Sequence, residues 1–175
     1  GDAALDQYGR TIGARYAGFN NILWLNGGDY SPPNKAPTRA VAQGVSAANP
    51  NALHSVHAAP NTGGLEYWPG ESWLDLNSAY KGAGSDVVTE VRAEYERSQT
   101  PVFMVEAFYE NEHGTTAADL RAQAYEALLS GACGQMFGNS PIWHFDAAPQ
   151  FGGPPGWKNQ LNSAGAQGMM HVWSL

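Results

Sequence analysis

Short apolar runs separated by segments of helical period constrain this chain more than any other feature. Ile22-Leu23-Trp24-Leu25 and Val102-Phe103-Met104-Val105 are near-continuous apolar stretches, the pattern of strands covered on both faces. Ala52 to His57, Ser72 to Asn77 and Gly134 to Phe137 read as three further strands, the middle one from its period-two alternation. Between them lie helical segments. Ala3 to Tyr16 carries Leu5, Tyr8 and Ile12 at helical spacing, and Thr38 to Ala48 follows the first strand. Asp86 to Arg97 presents Val87, Val88, Val91 and Tyr95 as a stripe. Thr116 to Ser130 presents Leu120, Ala124, Ala127 and Leu128, with Gly131 where a C-terminal cap belongs. Asn162 to Leu175 reads as a last helix.

Strand, loop and helix in repetition predict an α/β chain with a parallel sheet. No G-x-G-x-x-G or G-x-x-x-x-G-K-[ST] sequence opens a helix, which removes the two commonest nucleotide-binding forms of a doubly wound sheet. Polar and acidic residues cluster instead just after the C-terminal ends of the strands, where a TIM (β/α)8 barrel builds its site. Such a barrel needs about 250 residues, whereas this chain has 175. The expectation is therefore that residues 1–175 form the C-terminal portion of one barrel domain and supply about strands 4 to 8. The sequence at Gly1-Asp2-Ala3-Ala4 fits a processed or truncated end. Sheet edges left open in this way call for another chain to supply the N-terminal strands.

Charge narrows the partners. Sixteen acidic residues against nine Lys plus Arg give a net charge of −7, and no basic cluster is present, so a nucleic-acid partner is not expected. No apolar run is long enough to span a bilayer, and no membrane partner is expected. Cys133 is the single cysteine, which excludes an internal disulfide and any metal site built on several thiolates.

Two carboxylates stand out. Glu106 directly follows Pro101-Val102-Phe103-Met104-Val105 at the mouth of a buried strand, where an unpaired charge is costly. Its competing use is an ion pair with Arg or Lys at the sheet rim, which scarce basic residues disfavour. Asp29 follows the Gly27-Gly28 turn after the first strand; an Asx-turn or helix N-cap is the alternative there. Together they suit cleavage of a glycosidic bond, in which one carboxyl group protonates the leaving oxygen and the other attacks the anomeric carbon or activates water. Trp24, Trp68, Trp73, Tyr109 and Trp143 lie in or near the strand ends and loops, where they could stack sugar rings; each alone more often serves a core. His54 and His57 point to opposite faces of their strand, so they are poorly placed to share a metal, and no metal or other cofactor is expected. His57 could orient a carboxylate or bind substrate, and His54 reads as a satisfied core or surface residue. Serine-based chemistry has no G-x-S-x-G elbow to support it.

Asn21-Ile22-Leu23-Trp24-Leu25-Asn26-Gly27-Gly28-Asp29-Tyr30, Trp73-Leu74-Asp75-Leu76-Asn77, and Val105-Glu106-Ala107-Phe108-Tyr109-Glu110 together resemble the apiosidase-like glycoside hydrolases. The resemblance implies a bacterial (β/α)8 glycosidase, secreted or periplasmic, that acts on plant or microbial polysaccharide by a retaining mechanism. It puts Asp29 in the role of acid/base and Glu106 in that of nucleophile. Trp24, Asn26, His57, Trp73, Asn77, Tyr109 and Trp143 become the expected carbohydrate-binding residues. Family members usually show a His-Pro step where this chain has His57-Ala58. The competing expectation is a carbohydrate-binding or structural subunit without turnover, its barrel incomplete.

Overall fold

A computed structural model of the chain describes residues 1–145 and 153–174. The elements alternate as the sequence pattern requires: α1 (Asp2–Tyr16), β1 (Leu23–Gly27), α2 (Ala36–Ala48), β2 (Leu53–His57), a short α3 (Gly64–Tyr67), β3 (Asn77–Tyr80), α4 (Val87–Arg97), β4 (Val102–Glu106), β5 (Tyr109–Glu110), α5 (Ala117–Leu129), β6 (Ala132–Gln135), β7 (Gly138–Asn139), α6 (Ser140–Trp143) and α7 (Ala164–Trp173), the last preceded by a 3-10 turn at Trp157–Asn162. The fold is mixed α/β with parallel strands throughout: β1 pairs with β2, β3 with β4, β4 with β6, and β5 with β7. Where β2 and β3 meet there is no ladder; the amides of Asp75 and Leu76 donate to the His54 carbonyl at 3.0 Å, and Ser55 Oγ donates to the Leu76 carbonyl at 2.9 Å. None of the described helices is long and apolar enough to cross a membrane.

Apolar burial joins strands to helices on one side. Ala79, Val102, Met104 and Ala132 pack on Val87, Val91 and Ala127, while Val56 packs with Ala42, Trp68 and Trp73. Helices α1 and α2 approach so closely that a side chain at Gly9 or Gly44 would collide with the carbonyl of Val41 or Asp6 respectively.

Three expectations change. The strand predicted at Ser72 to Asn77 lies at Asn77–Tyr80. Its period-two alternation has a tertiary origin: Trp73 and Leu74 enter the cluster beneath α2, and the Asp75 carboxylate accepts the backbone N–H of His54 at 2.9 Å. On α4 the buried stripe is Val87, Val91 and Glu94, while Val88 and Tyr95 are exposed. Glu94 is tolerated because Asn77 Nδ2 donates to it at 2.8 Å and Arg97 Nε at 2.9 Å. The last helix ends at Trp173, and Leu175 lies outside the described residues.

Candidate active site

Strands β2, β3 and β4 end side by side in His57, Tyr80 and Glu106. Strict alternation would send Glu106 to the same helix-packed face as Val102 and Met104. A register shift between Ala79 and Tyr80 instead sets Glu106 opposite Tyr80, an irregularity of the kind that re-aims side chains beside functional sites. Glu106 Oε2 then meets His57 Nε2 at 2.7 Å, and the His57 ring stands edge-on to Tyr80 with centroids 5.0 Å apart. Tyr80 Oη donates to Asp29 Oδ1 at 2.9 Å. One imidazole and one phenol thus tie the two carboxylates into a single cluster, although Asp29 and Glu106 are 77 residues apart in sequence. Among the described residues, neither carboxylate forms an ion pair with Lys or Arg.

The two histidines of β2 sit in environments that shift their pKa values in opposite directions, His57 upward and His54 downward. Both ring nitrogens of His57 face acceptors, Glu106 and the Ala58 carbonyl at 3.1 Å, so the imidazolium, with two N–H donors, satisfies both. Burial opposes that charge, but the hydrogen bonds to Glu106 and Ala58 and the charges of Glu106 and Asp29 outweigh it, and the pKa is raised. His54 accepts from Asn26 Nδ2 at 3.0 Å through Nδ1 and faces Ser46 Oγ at 3.2 Å through Nε2, the pattern of a neutral ring. Burial lowers its pKa against the charge of Asp75. For Tyr80, burial comes first, then the hydrogen bond to Asp29 and the charges of Glu106 and Asp29; all push the hydroxyl well above the ordinary phenol value. Tyr109 is raised by burial and then by the charge of Glu106. Both phenols remain protonated donors at neutral pH.

A pH dependence follows from His57. A raised folded-state pKa means that the stability contributed by the protonated pair is fully present below about 6.5. It is lost as pH rises through the folded-state value. The lowered pKa of His54 acts in the other direction, costing stability as pH falls below about 6.5. The urea midpoint is therefore expected to fall as pH rises above that value, and His57→Gln to flatten this limb. An equally steep fall in His57→Gln would assign the dependence to another group.

The remaining expected binding residues separate. Tyr109 faces Glu106, and the exposed Trp143 donates from Nε1 to Glu112 at 2.9 Å. Asn26, Trp73 and Asn77 belong to the scaffold, which corrects their expected substrate contact. Asn26 is buried with its amide on the Ser55 carbonyl at 3.0 Å, and Trp73 is buried with its indole N–H on Glu71 at 2.9 Å. Asn77 is fully enclosed, accepting from the Leu65 amide at 2.8 Å and donating to Glu94. Trp24 stands edge-on to the Tyr16 ring of α1. Tyr80 is the member that sequence reasoning missed. Its signal was present, since it ends Asn77-Ser78-Ala79-Tyr80 as His57 and Glu106 end their strands. Among the described residues no group of three or more His, Cys, Asp or Glu side chains is placed to hold a metal ion.

Comparison with known proteins places this geometry in context. The family model described as "Apiosidase-like, catalytic domain" matches residues 2–175. None of the curated proteins compared with the chain matches it. A solved structure titled "Glycoside hydrolase" superposes with a TM-score of 0.86 at 24% identity, covering 99% of this chain and 46% of its own. A family 5 glycoside hydrolase from Bacteroides vulgatus superposes with a TM-score of 0.84 at 22% identity, covering 98% of this chain and 45% of its own. At such identities the likeness is one of fold. The chain spans less than half the length of either structure.

Proposed function

The chain belongs to the apiosidase-like catalytic domain family, and we propose from this premise that it carries the two catalytic carboxylates of a retaining glycoside hydrolase. In this reading Asp29 protonates the glycosidic oxygen, while Glu106 attacks the anomeric carbon and forms the glycosyl-enzyme intermediate. Asp29 then takes a proton from the water that releases the sugar. The observation that carries the reading is the shared cluster, in which Tyr80 holds Asp29 and His57 holds Glu106.

Each neighbour has work to do in such a reaction. His57 engages Oε2 of Glu106, which fixes the carboxylate plane for attack on the anomeric carbon. Tyr80 senses the charge of both carboxylates. A single phenol between them favours a short separation, and retaining enzymes hold their carboxyl groups about 5 to 5.5 Å apart, against about 6.5 to 9.5 Å in inverting ones. Tyr109, also facing Glu106, is placed to bind a hydroxyl of the sugar being cleaved.

The proposal extends to architecture. Strands β1 and β2 pair in parallel, as do β3, β4 and β6, with a helix between successive longer strands, and the two similar solved structures are about twice as long. We read the chain as strands 4 to 8 of a (β/α)8 barrel whose first strands come from another segment or another chain, in a secreted or periplasmic enzyme acting on polysaccharide. The test is hydrolysis of a glycoside panel by the full-length gene product, with the anomer of the first-formed sugar followed by NMR. Retained configuration supports the mechanism. An inverted product overturns the nucleophile role of Glu106, and glycan binding without product overturns the hydrolase reading.

A further inference from the structure

Two buried polar side chains take no part in the proposed reaction, yet both hold the residues that flank Tyr109. Gln123 of α5 is 5% exposed and Glu110 of β5 is 7% exposed. The Gln123 amide accepts from the Phe108 N–H and donates to the Phe108 carbonyl, each at 3.0 Å. Glu110 accepts at Oε1 from the Gly165 amide at 2.8 Å, and at Oε2 from Asn139 Nδ2 at 3.0 Å and from Ser163 Oγ. Among the described residues, Glu110 forms no ion pair with Lys or Arg. Burying a polar group costs stability unless its partners are in place, and a carboxylate costs most. Tyr109 therefore stands between two points that are fixed by buried hydrogen bonds.

The local structure explains why such fixing is needed. Strand β5 is two residues long and pairs with β7, Tyr109 opposite Gly138 and Glu110 opposite Asn139. Neighbouring residues of a strand face opposite ways, so Glu110 turns to α7 and Tyr109 to the carboxylate cluster. A ladder this short is too weak to hold a side chain unaided. Glu110 supplies the missing anchor. It lies at the start of α7, where free amides and the helix dipole favour negative charge, and a side chain at Gly165 would collide with it and with Leu120 of α5. The Tyr109 ring covers Gly138 so closely that a side chain there would overlap it. The Tyr109 hydroxyl faces Glu106, and with Tyr80 the ring walls a cavity of about 240 Å³.

We propose that Glu110 and Gln123 are positioning residues, which fix Tyr109 from its two neighbours and through it set the pose of Glu106. This rests on the glycosidase reading of Glu106. What the two residues supply is distance and angle, since a misplacement of about 1 Å can cost on the order of 10²-fold in rate. Supporting hydrogen bonds of this kind hold a site within such a tolerance. The first turn of α7, which carries the donors to Glu110, becomes part of the catalytic machinery by the same route.

The test is a double-mutant cycle in the full-length enzyme, with kcat and KM read on a glycoside that it hydrolyses. Glu110→Gln keeps the side-chain shape but removes the charge and one acceptor oxygen, and Gln123→Leu removes both bonds to Phe108. Each is expected to lower kcat about tenfold while KM moves less than about threefold, and to change kcat less than about twofold once Tyr109→Phe is present. Ser163→Ala removes one donor and leaves the carboxylate; its smaller loss should depend on Tyr109 in the same way, and it serves where Glu110→Gln does not fold. NMR of the protein with tyrosine isotopically labelled at Cζ gives a readout independent of turnover. The Tyr109 resonance, identified by its loss in Tyr109→Phe, should move in each variant while that of Tyr8 on α1 stays. Losses of equal size with and without the Tyr109 hydroxyl, or an unmoved Tyr109 resonance, would overturn the positioning role. A moved resonance in a protein whose native form cleaves no glycoside removes only the hydrolase reading.

Discussion

Glu106→Gln should lower turnover on the order of 10⁴-fold or more while leaving the protein folded. The replacement keeps the shape of the side chain and an acceptor for His57 Nε2, now 2.7 Å from the carboxylate. What it removes is the charge and the nucleophilic oxygen, and an amide cannot form the glycosyl ester on which a retaining reaction depends. Loss of an essential nucleophile is among the largest effects a single substitution produces. The measurement is kcat/KM on an oligosaccharide, with thermal unfolding as the fold control. Losing the carboxylate also removes the main partner of the His57 imidazolium, so the fall of stability above about pH 6.5 should shrink in this variant. Activity within about tenfold of native, in a folded protein, would remove Glu106 from the chemistry and leave its bond to His57 as a structural ion pair.

How far the site could be read from sequence depends on how local its causes are. Glu106 and Asp29 were legible because each follows a feature decided within a few residues, an apolar strand in one case and a double-glycine turn in the other. The pairing of His57 with a carboxylate was legible as one of two uses, since residues three apart on a strand face opposite ways and only one of His54 and His57 could point into the core. Tyr80 was hidden by a displaced strand. The alternation of Ser72 to Leu76 imitates a strand, but Trp73 is buried beneath α2 and Asp75 caps β2, contacts between segments that no local pattern encodes. Asn26 and Asn77 failed for a related reason. Both stand on strands close to the site, yet their amides are consumed by His54 and Ser55 in one case and by Leu65 and Glu94 in the other. Sequence identifies polar residues near a site, whereas the partners that consume them are set by packing. The register shift that re-aims Glu106 is of the same kind, because it arises from the pairing of β3 with β4.

Asp29→Asn separates the two carboxylates by the kind of substrate each affects. Asn keeps a carbonyl oxygen for the Tyr80 hydroxyl, which donates to Asp29 Oδ1 at 2.9 Å, so the cluster geometry should survive. The substitution removes the proton that a poor leaving group requires. General acid catalysis contributes about 10²- to 10⁴-fold, and that loss should appear in full on an oligosaccharide, whose leaving alkoxide is strongly basic. An aryl glycoside with a nitrophenolate leaving group departs without help, so formation of its glycosyl-enzyme should slow far less. Release of the sugar still needs a base, so the intermediate should accumulate and a burst of nitrophenol should precede a slow steady state. Glu106→Gln should show no burst with either substrate. Equal losses on both substrates would mean that Asp29 acts by positioning Tyr80 rather than by transferring a proton, since a positioning defect does not distinguish leaving groups.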